Sequence, residues 1–120
     1  MITWYKPAGL HVFPPHGDPS GYCVLTRLLA AQPWRDRLAW PEGFEGGVVH
    51  RLDGPTSGAL LVADDPAELL VMRRWFTQGV VSKTYRFEAA RDVPWSQGRC
   101  DRIVAVDGLG VEQVRRVAAV

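Results

Sequence analysis

The sequence predicts an α/β fold of the α+β type, a mixed and mainly antiparallel sheet with flanking helices. Three observations carry that expectation. Ile2–Tyr5, Val48–Val49 and Leu60–Val62 are short aromatic or β-branched runs bounded by turn residues, as strands are. Residues 21–31 and 66–78 repeat apolar side chains at spacings of three and four, as one face of a helix does. The two kinds of segment follow one another as β-α-loop-β-β-α-β-β, an order that lays helices against a sheet.

Taken in order, the first strand runs from Ile2 to Tyr5 and ends at Lys6-Pro7. The stretch from His11 to Ser20 holds Pro14, Pro15, Gly17 and Pro19 and reads as a loop. Ser20 is positioned to cap a helix over Gly21–Ala31, with Val24, Leu25, Leu28 and Leu29 on one face and Pro33 stopping it. Residues 33–47 form a second loop carrying Trp34, Trp40 and Phe44. Aromatics in a loop can stack on unpaired bases, but large rings usually bury, so these are expected to fold back over the core.

From Gly46 to Asp64 the chain reads as strand, polar turn, strand. The turn is Asp53-Gly54-Pro55-Thr56-Ser57-Gly58, nearly all turn formers. His50, Arg51 and Asp53 crowd the point where the chain leaves the first of these strands. A carboxylate on a turn braced by two apolar strands is well placed to act on a ligand, although Asp also caps turns through its own side chain. Asp65-Pro66-Ala67-Glu68 is a helix start: Asp65 as N-cap, Pro66 in the first turn and Glu68 placed for a capping box. Leu69, Met72 and Phe76 form its apolar stripe, Arg73 and Arg74 lie off it, and Gly79 fits the position after the cap.

Residues 80–90 alternate as a strand, with Val81, Lys83, Tyr85, Phe87 and Ala89 on one face. A lysine on an apolar face either snorkels to water or meets a partner. Pro94–Gly98 turns the chain, Ile103–Val106 reads as a further strand, and Val117-Ala118-Ala119-Val120 closes on an apolar run. Such a run has the character of an interrupted strand whose open edge favours self-association.

The bulk properties bound the function. With 120 residues, 47% hydrophobic and 22% charged, the chain is an ordinary globular domain, expected to be one unit. A net charge of +1 is not that of a strongly basic nucleic-acid-binding tail, so contact with RNA would rest on local clusters. Lys6 and Lys83 are its only lysines; the remaining cations are Arg, suited to bidentate phosphate contacts and stacking. Cys23 and Cys100 are far apart and read as free thiols in a reducing compartment. No run has membrane-spanning length and no leader precedes the first strand; His11, His16 and His50 have no ligand spacing with the cysteines, so no metal is expected.

His50-Arg51-Leu52-Asp53, two residues, then Thr56-Ser57-Gly58 resembles the signature of the RluA-type pseudouridine synthases, enzymes that isomerise uridine in RNA. Tyr5-Lys6-Pro7-Ala8-Gly9-Leu10 is similar to the family's opening segment, and Lys83-Thr84-Tyr85 to its Lys-x-Tyr strand. The three matches fall in order over about three quarters of the chain. The resemblance implies a pseudouridine synthase core, with rRNA or tRNA as partner, no cofactor and a cytoplasmic setting. It makes Asp53 the catalytic carboxylate and Tyr85 the tyrosine that stacks on the uracil and helps the final proton loss. Arg51 matches the arginine that occupies the space of the extruded base. His50, Thr56, Ser57 and Lys83 join it on the substrate.

One departure stands out. The family's later Gly-Arg-x-His-Gln-Ile-Arg motif, whose basic residue pairs with the catalytic aspartate, is absent; Gln97-Gly98-Arg99-Cys100 is a poor echo of it. The expectation is therefore an N-terminal portion of the catalytic domain, without a separate N-terminal RNA-binding domain and nearly inactive alone. Should it prove active alone, Arg99 or Arg102 would be the candidate partner of Asp53. An inactive RNA-binding or interaction remnant of the fold is the rival reading. A kinase-like reading of His50-Arg51-Leu52-Asp53 fails, because Gly58 stands where the kinase loop requires Asn and no Gly-rich nucleotide loop precedes it.

Overall fold

The computed structural model describes residues 1–15, 21–88 and 92. The chain divides into two units, Met1–Val81 and Ser82–Val120. In the first, strand β1 (Ile2–Lys6) is followed by helix α1 (Val24–Ala31), 3-10 turns over Pro33–Arg37 and Glu45–Gly47, strand β2 (Gly58–Val62) and helix α2 (Pro66–Thr77). β1 and β2 pair antiparallel, with Ile2 opposite Val62 and Lys6 opposite Gly58. The described elements thus agree with the α+β class.

Alternation along the two strands sorts their side chains onto opposite faces. Ile2, Trp4, Leu60 and Val62 face α1, where they pack with Leu10, Val12, Val24, Leu28 and Val48. Leu61 faces α2 and joins Val49, Ala63, Leu69, Met72, Trp75 and Phe76. Two thin cores therefore share one ladder. Leu60, Val62, Leu28, Leu69 and Met72 are all fully buried, each worth about 1.5–3 kcal/mol at most.

Both helices start where their free N–H groups find acceptors. For α1 these are backbone carbonyls: Val24 N–H donates to His11 O at 2.9 Å and Leu25 N–H to Val12 O at 3.0 Å. The cap residue is Cys23, buried and free, whose own N–H donates to Thr26 Oγ1 at 3.1 Å. For α2 the cap is Asp65, as the sequence indicates, accepting from Glu68 N–H at 2.7 Å. Glu68 reaches back one residue further than a capping box requires and accepts from Asp64 N–H at 2.7 Å. The helix closes with Gly79 N–H on Phe76 O and Val80 N–H on Trp75 O, a Schellman pair with Gly79 at positive φ.

Two expectations change. Val48 and Val49 do not form the partner strand of 60–62; Val48 makes a single antiparallel bridge to Val62, and β1 supplies the ladder. The second edge of β2 is met instead by Gly47 O, which accepts from Ala63 N–H at 2.8 Å, and by the His50 ring. Gly47 is required there: its φ is +88°, and a Cβ would come 2.3 Å from Ala63 O. Residues 80–88 carry no ladder to another described strand. Alternation specifies the faces of a strand but not a neighbour to pair with.

The loop at 33–47 is more ordered than its composition suggests. Trp40 and Phe44 fold onto the α2-side core, as expected, while Trp34 stays 43% exposed beneath the Arg35 guanidinium. Arg35 itself is fully buried. It donates to Gln32 Oε1 at 2.6 Å, to Gly46 O at 3.0 Å, to Ala63 O, and to Asp64 Oδ1 at 2.7 Å. The cap of α1 is Cys23 and not the expected Ser20, because the helix starts at Val24. The readings made for His16, Pro94–Gly98, Arg99, Cys100, Arg102, Ile103–Val106 and the apolar ending lie outside the described residues. Among the described residues no helix is long and apolar enough to cross a membrane.

Candidate active site

The segment that presents Asp53 is anchored by every side chain that does not point outward. Val48 and Leu52 pack in the α1-side core and Val49 in the α2-side core. His50 lies with its ring centroid 5.0 Å from that of Phe76, and its Nε2 accepts from Leu61 N–H at 2.9 Å. That bond requires a lone pair on Nε2, so the neutral ring carries its proton on Nδ1. Between these anchors Arg51 and Asp53 are left exposed.

After Asp53 the chain turns at once. Thr56 N–H donates to Asp53 O at 3.0 Å, closing a four-residue turn through Gly54 and Pro55. Thr56 is half-buried and Ser57 exposed. The turn is clamped from the end of β1: Gly9 N–H donates to Gly54 O at 2.7 Å. Lys6 donates to the same Gly54 O at 2.9 Å, to Thr56 O at 2.6 Å and to Pro7 O at 3.0 Å. An ammonium has three N–H groups, and carbonyls of the turn and its own strand end take all three.

Lys6 is fully buried. Burial pulls its pKa below the ordinary 10.5, and the negative charge of Asp53 opposes that shift by holding the cation. A buried ammonium therefore stands under the turn that carries an exposed carboxylate. Sequence reasoning gave Lys6 no role beyond its place in the opening segment. The signal was available in the alternation, since Ile2, Trp4 and Lys6 share the face that packs on α1, and a lysine there has to be satisfied internally.

Of the residues singled out from sequence, the first unit brings together His50, Arg51, Asp53, Thr56 and Ser57 within one anchored segment and its turn. Lys83 and Tyr85 belong to the second unit, where 82–88 and 92 are the described residues. There both side chains are exposed, Tyr85 by 41%. Among the described residues no group of three or more His, Cys, Asp or Glu gathers to hold a metal.

The chemistry open to this arrangement is narrow. Asp53 offers an exposed carboxylate on a turn whose backbone is held by Gly9 N–H and the buried Lys6 ammonium. Beside it Arg51 offers a planar cation able to stack and hydrogen-bond at once.

Known proteins share this segment. A family model described as RNA pseudouridylate synthase matches residues 1–115. The ribosomal large subunit pseudouridine synthase D of Neisseria meningitidis serogroup B is 36% identical over 96 residues, 79% of this chain and 24% of that protein. An uncharacterized RNA pseudouridine synthase of Synechocystis is 47% identical over 64 residues, 52% of this chain and 18% of that protein. The synthase D of Xanthomonas campestris is 47% identical over 58 residues, 48% of this chain and 16% of that protein. The chain thus spans a quarter or less of the length of these relatives. No solved structure matches it. With the match running across nearly all of its residues, the chain belongs to the RNA pseudouridylate synthase family and is RluA-type.

Proposed function

We propose that this chain acts in the isomerisation of uridine to pseudouridine in RNA, with Asp53 as the catalytic carboxylate. The observation that carries the reading is the exposed Asp53 on a turn clamped by Lys6 and Gly9, in a chain of this family. Relatives named for the ribosomal large subunit support rRNA as the substrate class, with tRNA the alternative. The share of those relatives that the chain covers supports reading it as part of a larger catalytic domain.

The reaction breaks the bond from uracil N1 to ribose C1′, turns the base and joins C5 to C1′; the C5 proton is lost and N1 gains one. No atom is added and no electron changes hands, so the protein's own groups suffice. Asp53 serves either as nucleophile at C1′ or as the base that removes a ribose proton to begin elimination. Tyr85 stacks on the uracil and assists the loss of the C5 proton. The uridine has to leave its stack to reach the carboxylate, and Arg51, exposed two residues before Asp53, fills the space it leaves. Thr56 and Ser57 aim the turn, His50 holds the segment behind Arg51, and Lys83 meets the RNA backbone.

The test is Asp53→Asn in this protein, assayed on rRNA by carbodiimide labelling of pseudouridine. Turnover should fall by about 10²–10⁴-fold, the contribution of a single acid–base or nucleophilic group, with RNA affinity within about threefold. Undiminished turnover in the Asn variant would remove Asp53 from the chemistry.

A further inference from the structure

We infer that His11 is a stacking platform for an unpaired base of the RNA, set against the Asp53 turn; the inference rests on the reading of Asp53 given above. Nothing in the signature motifs points to this residue. It follows from how the chain packs around Gly54.

Gly54 is buried and directly follows Asp53. A Cβ built on it would lie 3.0 Å from His11 Cε1 and 3.3 Å from both His11 ring nitrogens. Near-equal distances to three ring atoms mean that the imidazole rests by its face on the backbone of Gly54. The missing side chain at position 54 is what lets the ring come so close. His11 is nonetheless exposed, so the ring is covered on the turn side and open elsewhere.

The ring is also carried on a fixed backbone. Its neighbours Leu10 and Val12 are buried at 7% and 2% exposure, which turns the side chain between them outward. His11 O accepts from Val24 N–H at 2.9 Å, tying this residue to the start of α1. Gly9 N–H on Gly54 O, at 2.7 Å, ties the same segment to the turn. A surface histidine with only a solvation role needs none of this. A flat, solvent-exposed ring packed against the turn that carries Asp53 is what an unstacked base needs to lie on. The ordering entropy of the platform has already been met by the fold, so the stacking free energy goes into binding.

The experiment titrates the 120-residue chain with a short oligouridylate, following histidine Cε1–H resonances by NMR and affinity by fluorescence anisotropy. The His11 resonance, assigned by its loss in His11→Ala, should move upfield and saturate. The His50 resonance, covered by Phe76 and the Leu61 bond, should move little. His11→Ala should weaken binding by about 5- to 150-fold, the usual effect of removing one base-stacking ring. His11→Phe should stay within about threefold of the parent. Circular dichroism should leave both variants folded, since the side chain is exposed.

A static His11 resonance in a chain that binds the oligonucleotide overturns the platform and leaves the Asp53 reading standing. So does a His11→Phe variant as weak as His11→Ala, which would assign the contact to hydrogen bonding or charge. If His11→Ala binds oligouridylate as tightly as the parent chain, the platform falls and the RNA reading stands. If the platform is confirmed while Asp53→Asn turns over normally, only the catalytic assignment is lost.

Discussion

Arg35 and Lys6 are both fully buried cations, one at each end of the same ladder, and the groups around them differ in kind. Arg35 stands at the Val62 end, where it ties Gly46 O and Ala63 O together and pairs directly with Asp64. The Met1 amine and Glu68 add to that cluster, so charge is matched by contact. Lys6 stands at the Gly58 end, where its three N–H groups go to carbonyls and Asp53 acts on it through charge. The first end is closed on itself. At the second, the cation fixes the turn while the carboxylate faces out. The difference shows how a small sheet can be tied at both ends and yet keep one charged side chain exposed to solvent.

The largest effect should come from the closed end. Arg35→Met leaves two buried carbonyls without a donor and Asp64 with the Met1 amine as its remaining cation, at about 3–5 kcal/mol. Chemical denaturation should show most of that loss in the midpoint, since the cluster lies at the junction of both cores. A loss below 1 kcal/mol would mean that water replaces the guanidinium, and that Arg35 does not close this end.

Lys6→Met should cost less, about 2–3 kcal/mol, because Gly54 O keeps its bond from Gly9 N–H and the two carbonyls that lose their donor, Thr56 O and Pro7 O, are only part-buried. Its functional effect should exceed its structural one. In the folded variant the amides of Gly54, Thr56 and Ser57 should exchange faster than those of β2, and turnover should fall further than stability explains. A variant with parent-like turnover would show that clamping the turn has no bearing on Asp53.

How much of this was legible depended on whether the determinant was local. The α2 boundaries could be read, because Asp65, Pro66 and Gly79 act within a few residues of themselves. The approximate place of α1 could be read, but not its cap, since the acceptors for its first N–H groups are carbonyls a dozen residues back. Strand pairing was misread at Val48–Val49 because an apolar dipeptide says that it will bury and not beside what. The burial of Lys6 was legible in the β1 alternation but its acceptors on the turn were not, and Arg35 was missed because Gly46 O, Ala63 O and Asp64 reach it from distant positions. For the candidate site, the signature singled out Asp53 and Arg51, whereas the Lys6 clamp and the packing of His11 on Gly54 depend on contacts distant in sequence.

His50→Ala probes the link between the two ends, at the middle of β2. It removes the acceptor for Leu61 N–H and the contact with Phe76. The loss should be about 1–2 kcal/mol, and thermal unfolding measures it. His50→Gln, whose amide oxygen can accept the same N–H, should recover part of it. Equal losses in both variants would assign the effect to ring packing and not to the hydrogen bond.

The smallest effect concerns the exposed half of the closed end, and here pH decides. The Met1 amine holds the Asp64 carboxyl below its ordinary 3.8; burial opposes the shift and the Arg35 hydrogen bond adds to it. Hydrogen bonds to Asp64 and Glu68 hold the Met1 amine above its ordinary 8.0. A carboxylate with a lowered pKa stabilises the fold above 3.8, and that contribution is lost as pH falls through the lowered value. An ammonium with a raised pKa stabilises below 8.0, and its contribution is lost as pH rises through the raised value. Stability should therefore be flat between the two limits and fall on both sides. The Asp64 side chain is 44% exposed, so solvent screening keeps its part to no more than about 1 kcal/mol. Asp64→Asn should make the acid limb shallower and bring the onset of the alkaline limb to lower pH, because the amine loses the first of its two acceptors. A variant that changes the acid limb alone would show that Glu68 suffices for the amine, and that the closed end rests on Arg35 rather than on the cluster around it.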